Sequence, residues 1–159
     1  TLDIPIMREK TLRYPGHAEL MRVFRESGFF NPQPLDLDGQ LVSPLALTSQ
    51  LLFEQWRMKE GDRDLTVMQV RLTGRENGRK VDYQYDLLDH YDEIKGITSM
   101  ARTTGYTCTI VARQLLGGLF SHPGICPPEL LGRKQGIYKD LLERYHQRGI
   151  HLQETILPG

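Results

Sequence analysis

Cysteine is scarce in this 159-residue chain: Cys108 and Cys126 are its only two, and neither sits in a Cys-x-x-Cys pair. A disulfide scaffold and a zinc site are both poorly supported. An excess of one charge is also missing. The 20 basic and 20 acidic residues cancel and form no long run of either sign, so no electrostatic footprint for nucleic acid or an anionic membrane is present. No apolar run approaches the roughly 20 residues of a membrane span, and Thr1-Leu-Asp-Ile-Pro-Ile lacks the regions of a signal peptide. The expectation is a cytoplasmic protein with no nucleic-acid or membrane partner. The first residue is Thr rather than Met, which hints at a piece of a longer polypeptide.

Catalytic fingerprints are absent as well. There is no Gly-x-Gly-x-x-Gly, no phosphate loop, no Gly-x-Ser-x-Gly and no His-Glu-x-x-His. The chain therefore has no Rossmann route of its own to a dinucleotide. His17, His90, His122, His146 and His151 are scattered without ligand spacing, so no metal is expected.

The stretch present in their place is Thr98 to Gly117, a hydroxyl-rich opening that runs into a nearly continuous apolar segment. Tyr106, Cys108, Ile110, Val111, Ala112, Leu115 and Leu116 leave no wide polar face, which predicts a helix buried on most sides. Gly117-Gly118 stops it. At its start Ser99, Thr103 and Thr104 are natural N-caps, with Arg102 beside them and Gly105 permitting close approach. Two readings stand: ordinary capping, or N–H groups that hold a carboxylate or phosphate.

In chain order, Met7 to Tyr14 reads as a strand broken by Pro15-Gly16, and Ala18 to Ser27 as an amphipathic helix ended by Gly28. A short extended piece is expected around Gln40-Leu41-Val42. Ser43-Pro44 starts a helix running to about Met58, with Leu45, Leu47, Leu51, Leu52 and Trp56 as its buried stripe. Leu65 to Thr73 and Val81 to Leu87 read as strands of an antiparallel hairpin joined through Asn77-Gly78. The second strand puts Val81, Tyr83, Tyr85 and Leu87 on one face and Asp82, Gln84 and Asp86 on the other, towards water or a hydrophilic subunit interface. Ser121 to Glu129 is loop or edge strand, Gly136 to Arg148 the last helix, and Ile150 to Ile156 a final strand. The expected fold is one α+β domain over residues 1–159, a mixed but largely antiparallel sheet with helices on one face.

Four segments carry a resemblance: Lys10-Thr-Leu-Arg-Tyr-Pro-Gly-His17, Leu87-Leu-Asp-His-Tyr-Asp92, Thr98-Ser-Met-Ala-Arg-Thr-Thr-Gly105 and Gly124-Ile-Cys-Pro-Pro-Glu129. In this order and spacing they resemble the C-terminal domain of the saccharopine dehydrogenase family, most closely its lysine 6-dehydrogenase-like branch. The resemblance implies that a separate N-terminal Rossmann domain binds NAD or NADP in the full-length protein, with neither bound to this chain alone. It also implies an amino-acid substrate, a homodimer contact through the sheet, and oxidation or reduction at a carbon–nitrogen bond of lysine or a lysine-derived compound.

The residues that would meet such a substrate are Arg13, Tyr14, Gly16, His17, Ser99, Arg102, Thr103 and Thr104. Arg13 or Arg102 would take its carboxylate bidentately, helped by the N–H groups of Thr103-Thr104-Gly105. Asp89 or Asp92, from an acidic cluster that is otherwise merely solvated, would take its ammonium. Tyr14 and His17 would line or gate the pocket, and His17 suits proton movement near neutral pH. The structural alternatives are cross-strand pairing for Arg13, packing for Tyr14 and capping for His17. The second class of function is a stand-alone ligand-binding or dimerisation module without catalysis.

Overall fold

The reversal at Pro15-Gly16 sets up everything that follows in the first part of the chain. Proline fixes φ at the first central position and Gly16 takes φ 87° at the second, the pattern of a type II turn. It feeds directly into α1 (His17–Glu26), whose first residue donates its N–H to Tyr14 O at 3.2 Å. In the computed structural model, which describes residues 4–158, two units form: residues 4–62 and residues 63–158.

The first unit holds α1, the hairpin β1 (Leu35–Leu37) and β2 (Gln40–Val42), and α2 (Pro44–Trp56). Asp38 and Gly39 turn that hairpin with φ 53° and 84°, the left-handed pair of a type I′ turn. Ser43 caps α2 by accepting from Ala46 N at 3.3 Å, and Pro44 occupies its first position. The helix stops at Trp56 rather than Met58. Its expected buried stripe is half-exposed, because Leu47 and Leu51, together with Phe24, Phe29, Leu35 and Leu37, line an open apolar groove of about 280 Å³. The expected strand at Met7 to Tyr14 is absent: the segment is exposed throughout and in no ladder among the described residues. A strand without a neighbour has nothing to hold its hydrogen bonds.

The second unit is built on the predicted hairpin. β3 (Leu65–Glu76) and β4 (Arg79–His90) pair along their whole length, and β5 (Leu152–Pro158) joins the other side of β4, giving the order β3-β4-β5. Asn77 at φ 50° and Gly78 at φ 81° make the type I′ turn that the dipeptide dictates. Both sheets are wholly antiparallel rather than mixed, within the expected α+β class. α3 (Ser99–Leu116), the short α4 (Pro128–Gly132) and α5 (Ile137–His146) complete the unit. No helix among the described residues is long and apolar enough to cross a membrane.

The long helix corrects its prediction. α3 is not buried on most sides; it buries one stripe, and Ser99, Arg102 and Gln114 occupy that stripe beside Ile110. Cys108, Leu115 and Leu116 are exposed instead. Gln114 shows why polar residues face inward: its amide donates to Ile137 O at 3.0 Å and Asp140 Oδ2 at 2.8 Å, tying α3 to α5. The amide nitrogen is thereby paired, while Gln114 Oε1 is buried with no hydrogen-bond partner among the described residues, so the pairing offsets only part of the cost of burying the group.

Candidate functional site

The first turn of α3 meets the ends of β3 and β4, where charge concentrates. Thr98 is the N-cap, its side chain accepting from Ala101 N at 3.2 Å. Asp64, just ahead of β3, accepts from Ser99 N at 2.6 Å and Met100 N at 2.8 Å. The helix N-terminus thus holds a carboxylate, as its unpaired N–H groups and dipole favour, and the carboxylate is the chain's own. Thr103, Thr104 and Gly105 fall in the second turn, where backbone N–H groups close the helix. Their expected role as open N–H donors does not fit that position.

Ser99 is fully buried. Its hydroxyl lies 2.7 Å from Asp89 Oδ2, 3.0 Å from Asp89 O and 2.8 Å from Thr66 Oγ1, fixing the helix start to both strands. Arg102 follows one turn on, with 5% of its surface exposed. Its Nε and Nη2 reach the two oxygens of Asp89 at 3.3 and 3.2 Å, a fork-on-carboxylate pair, and its Nη1 donates to Asp92. Nη2 also donates to the carbonyls of Arg148 and Gly149 at 3.1 and 3.4 Å. One guanidinium therefore joins α3, the end of β4, the loop after it and the α5–β5 turn.

The loop after β4 is shaped by Asp92. Its Oδ1 accepts from Ile94 N and Lys95 N at 3.1 and 3.0 Å, while Oδ2 meets Lys95 Nζ at 3.0 Å as well as Arg102. Hydrogen bonding to Lys95, with the Arg102 charge as a lesser cause, holds this carboxyl below the ordinary carboxylate range. Thr103 Oγ1 bonds back to Ser99 O at 2.9 Å, and Thr104 is exposed.

In the first unit, Arg13 and Tyr14 stand exposed on the approach to the Pro15-Gly16 turn, Tyr14 at 80%. Arg13 Nη1 donates to Leu12 O at 3.1 Å. His17 opens α1 with its ring 6.0 Å from that of Trp56. Space is open around Gly16, with no atom within 4 Å of where a Cβ would stand.

The eight predicted site residues thus fall into two groups. Arg13, Tyr14, Gly16 and His17 share one turn of the first unit; Ser99, Arg102, Thr103 and Thr104 share the opening of α3 in the second. Arg102, expected as the receiver of a ligand carboxylate, is already met by two carboxylates of its own chain, and Asp89 and Asp92, expected for an ammonium, are met by it. Asp64 was missed, because a capping residue 35 positions away leaves no local signal. No group of three or more His, Cys, Asp or Glu among the described residues is placed to hold a metal.

The saccharopine dehydrogenase C-terminal domain family model matches residues 2–150. Three curated relatives are named saccharopine dehydrogenase (NADP(+), L-glutamate-forming). The protein from Schizosaccharomyces pombe is 28% identical over 131 residues, 82% of this chain and 27% of its own length. That from Saccharomyces cerevisiae is 28% identical over 80% of this chain and 27% of its own length, and that from Pyricularia oryzae 25% identical over 82% and 28%. The chain spans little more than a quarter of these relatives.

Proposed function

Since the chain belongs to the saccharopine dehydrogenase C-terminal domain family, we propose that it is the substrate-binding and dimerisation part of a nicotinamide-dependent oxidoreductase. The reaction is at the C–N bond of lysine or a lysine-derived amino acid. The match over residues 2–150 carries this reading. Saccharopine, with release of L-glutamate, is the substrate named in the relatives, and NADP their cofactor. This chain lacks the glycine fingerprint for a dinucleotide, so the cofactor belongs to a Rossmann domain outside this sequence, the chain's first partner.

The nicotinamide accepts or supplies the hydride; the protein's share is to place the substrate carbon and exclude water. In this reading Ser99, Arg102, Asp89 and Asp92 act by positioning, since their charges and hydroxyls are spent on one another. Arg13 and Tyr14, exposed on a turn fixed by Pro15-Gly16, are the groups assigned to the substrate, Arg13 to a carboxylate and His17 to a proton. The homodimer contact is assigned to the sheet, and to the face that bears α3 rather than to the polar face of Asp82, Gln84 and Asp86 expected from the sequence, because Met68, Val70, Leu72 and Ile156 lie there and remain 39–53% exposed.

The test uses the polypeptide that carries this chain. Saccharopine-dependent reduction of NADP is expected, and Arg13→Lys should lower kcat/KM roughly ten- to hundredfold through loss of a charge-assisted bond of about 1.5–3 kcal/mol. Calorimetric titration of this chain by itself should show no uptake of NAD or NADP. Tight dinucleotide binding by the isolated chain overturns the assignment. Ligand binding or dimerisation with no turnover in the whole polypeptide favours the stand-alone module.

A further inference from the structure

Where α5 hands over to β5, two imidazoles face each other. His146 Nδ1 and His151 Nδ1 lie 3.2 Å apart, with ring centroids at 4.8 Å and planes at 78°. Both residues are exposed. The backbone between them is held at several points. Gly149 N donates to His146 O at 2.9 Å and Ile150 N to Tyr145 O at 3.0 Å, the paired bonds of a Schellman turn, with Gly149 at φ 71°. Ile150 is buried to 2% exposure, and Arg102 donates to the carbonyls of Arg148 and Gly149.

That separation has a chemical meaning. Two nitrogens bound to one metal ion at about 2.1 Å, subtending about 100°, lie about 3.2 Å from each other. We propose that His146 and His151 chelate a late first-row divalent cation, with Zn²⁺ and Ni²⁺ as the class representatives and water filling the remaining positions. Imidazole selects these ions over Mg²⁺ and Ca²⁺, which take oxygen ligands. Without metal, one ring donates its Nδ1–H to the other; with metal, both rings carry their proton on Nε2 and offer the Nδ1 lone pair. The two histidines are five positions apart and straddle a helix end, so no helical ligand spacing announced them.

The experiment is a calorimetric titration of the chelator-stripped chain with Ni²⁺, repeated with Zn²⁺, on wild type, His146→Gln, His151→Gln and, as control, His90→Gln. Saturable binding is expected in wild type and in His90→Gln, weakened about tenfold or more in either of the other variants, since even loss of an outer-shell partner costs that much. A wild-type readout stands apart from the folding of any variant: Ni²⁺ should broaden the imidazole resonances of His146 and His151 ahead of those of the other histidines. Absence of saturable binding, equal affinity across the variants, or broadening centred on other histidines overturns the proposal.

Discussion

Asp89 and Arg102 bury opposite charges at 5% exposure each, and neither is tolerable there without the other. Removing one partner of such a pair leaves an uncompensated charge, at a cost of about 3–5 kcal/mol. Arg102→Ala should lower the unfolding free energy of the chain by that much, read as a lower urea midpoint at unchanged slope, and Arg102→Lys by less, because lysine keeps the charge but cannot span Asp89, Asp92 and two carbonyls at once. An unchanged midpoint in Arg102→Ala would remove the lock from the account of stability. Asp92 adds a pH signature. Its carboxyl is held below the ordinary value of 3.8, chiefly by Lys95, so the native state binds fewer protons than the unfolded state near that pH. The resulting stability is complete at neutral pH and is lost as pH falls below about 4 through the lowered value. Acid titration of Asp92→Asn should show a flatter loss than wild type. The sequence displayed Arg102 among hydroxyls and an acidic cluster ten residues earlier, but not that the two would satisfy each other. That pairing depends on β4 and α3 meeting, which no local pattern encodes.

Among the elements, the hairpin was legible because its chemistry is local. Alternation and Asn77-Gly78 sufficed to place β3 and β4, and Asp38-Gly39 carries the same message for β1 and β2, where only the second strand was anticipated. Gly78 sits at φ 81° and Gly74 does not sit in the left-handed region, while neither has an atom within 4 Å of a would-be Cβ. Gly78→Ala should therefore destabilise by about 1–2 kcal/mol and Gly74→Ala by less, as read from thermal melts. Equal losses would show that strand propensity rather than the turn dominates. The Met7 to Tyr14 strand failed because pairing needs a partner that composition does not supply. α3 misled for another reason: counting its apolar residues hid that the stripe at helical spacing was Ser99, Arg102, Ile110 and Gln114.

For the molecule as a whole, apolar burial is sparse: among the described residues only Leu87, Ile110, Ile137 and Ile150 are buried apolar side chains. Many others lie at the surface, and the uncovered end of the sheet is one such patch, a feature that marks interaction sites. Sedimentation should show reversible self-association that Leu72→Lys abolishes and Gln84→Lys, on the opposite sheet face, leaves intact. A monomer at high micromolar concentration speaks against that patch as the contact. Asp64 carries a consequence in time. Its carboxylate reaches Ser99 and Met100 only after a hairpin and a loop have brought residues 35 positions apart together. The cap should then form on the native side of the folding barrier. Asp64→Ala is expected to accelerate unfolding in stopped-flow chevrons while the refolding limb barely moves, giving a φ-value near 0 at the start of a helix whose own Thr98 cap is in place from the outset.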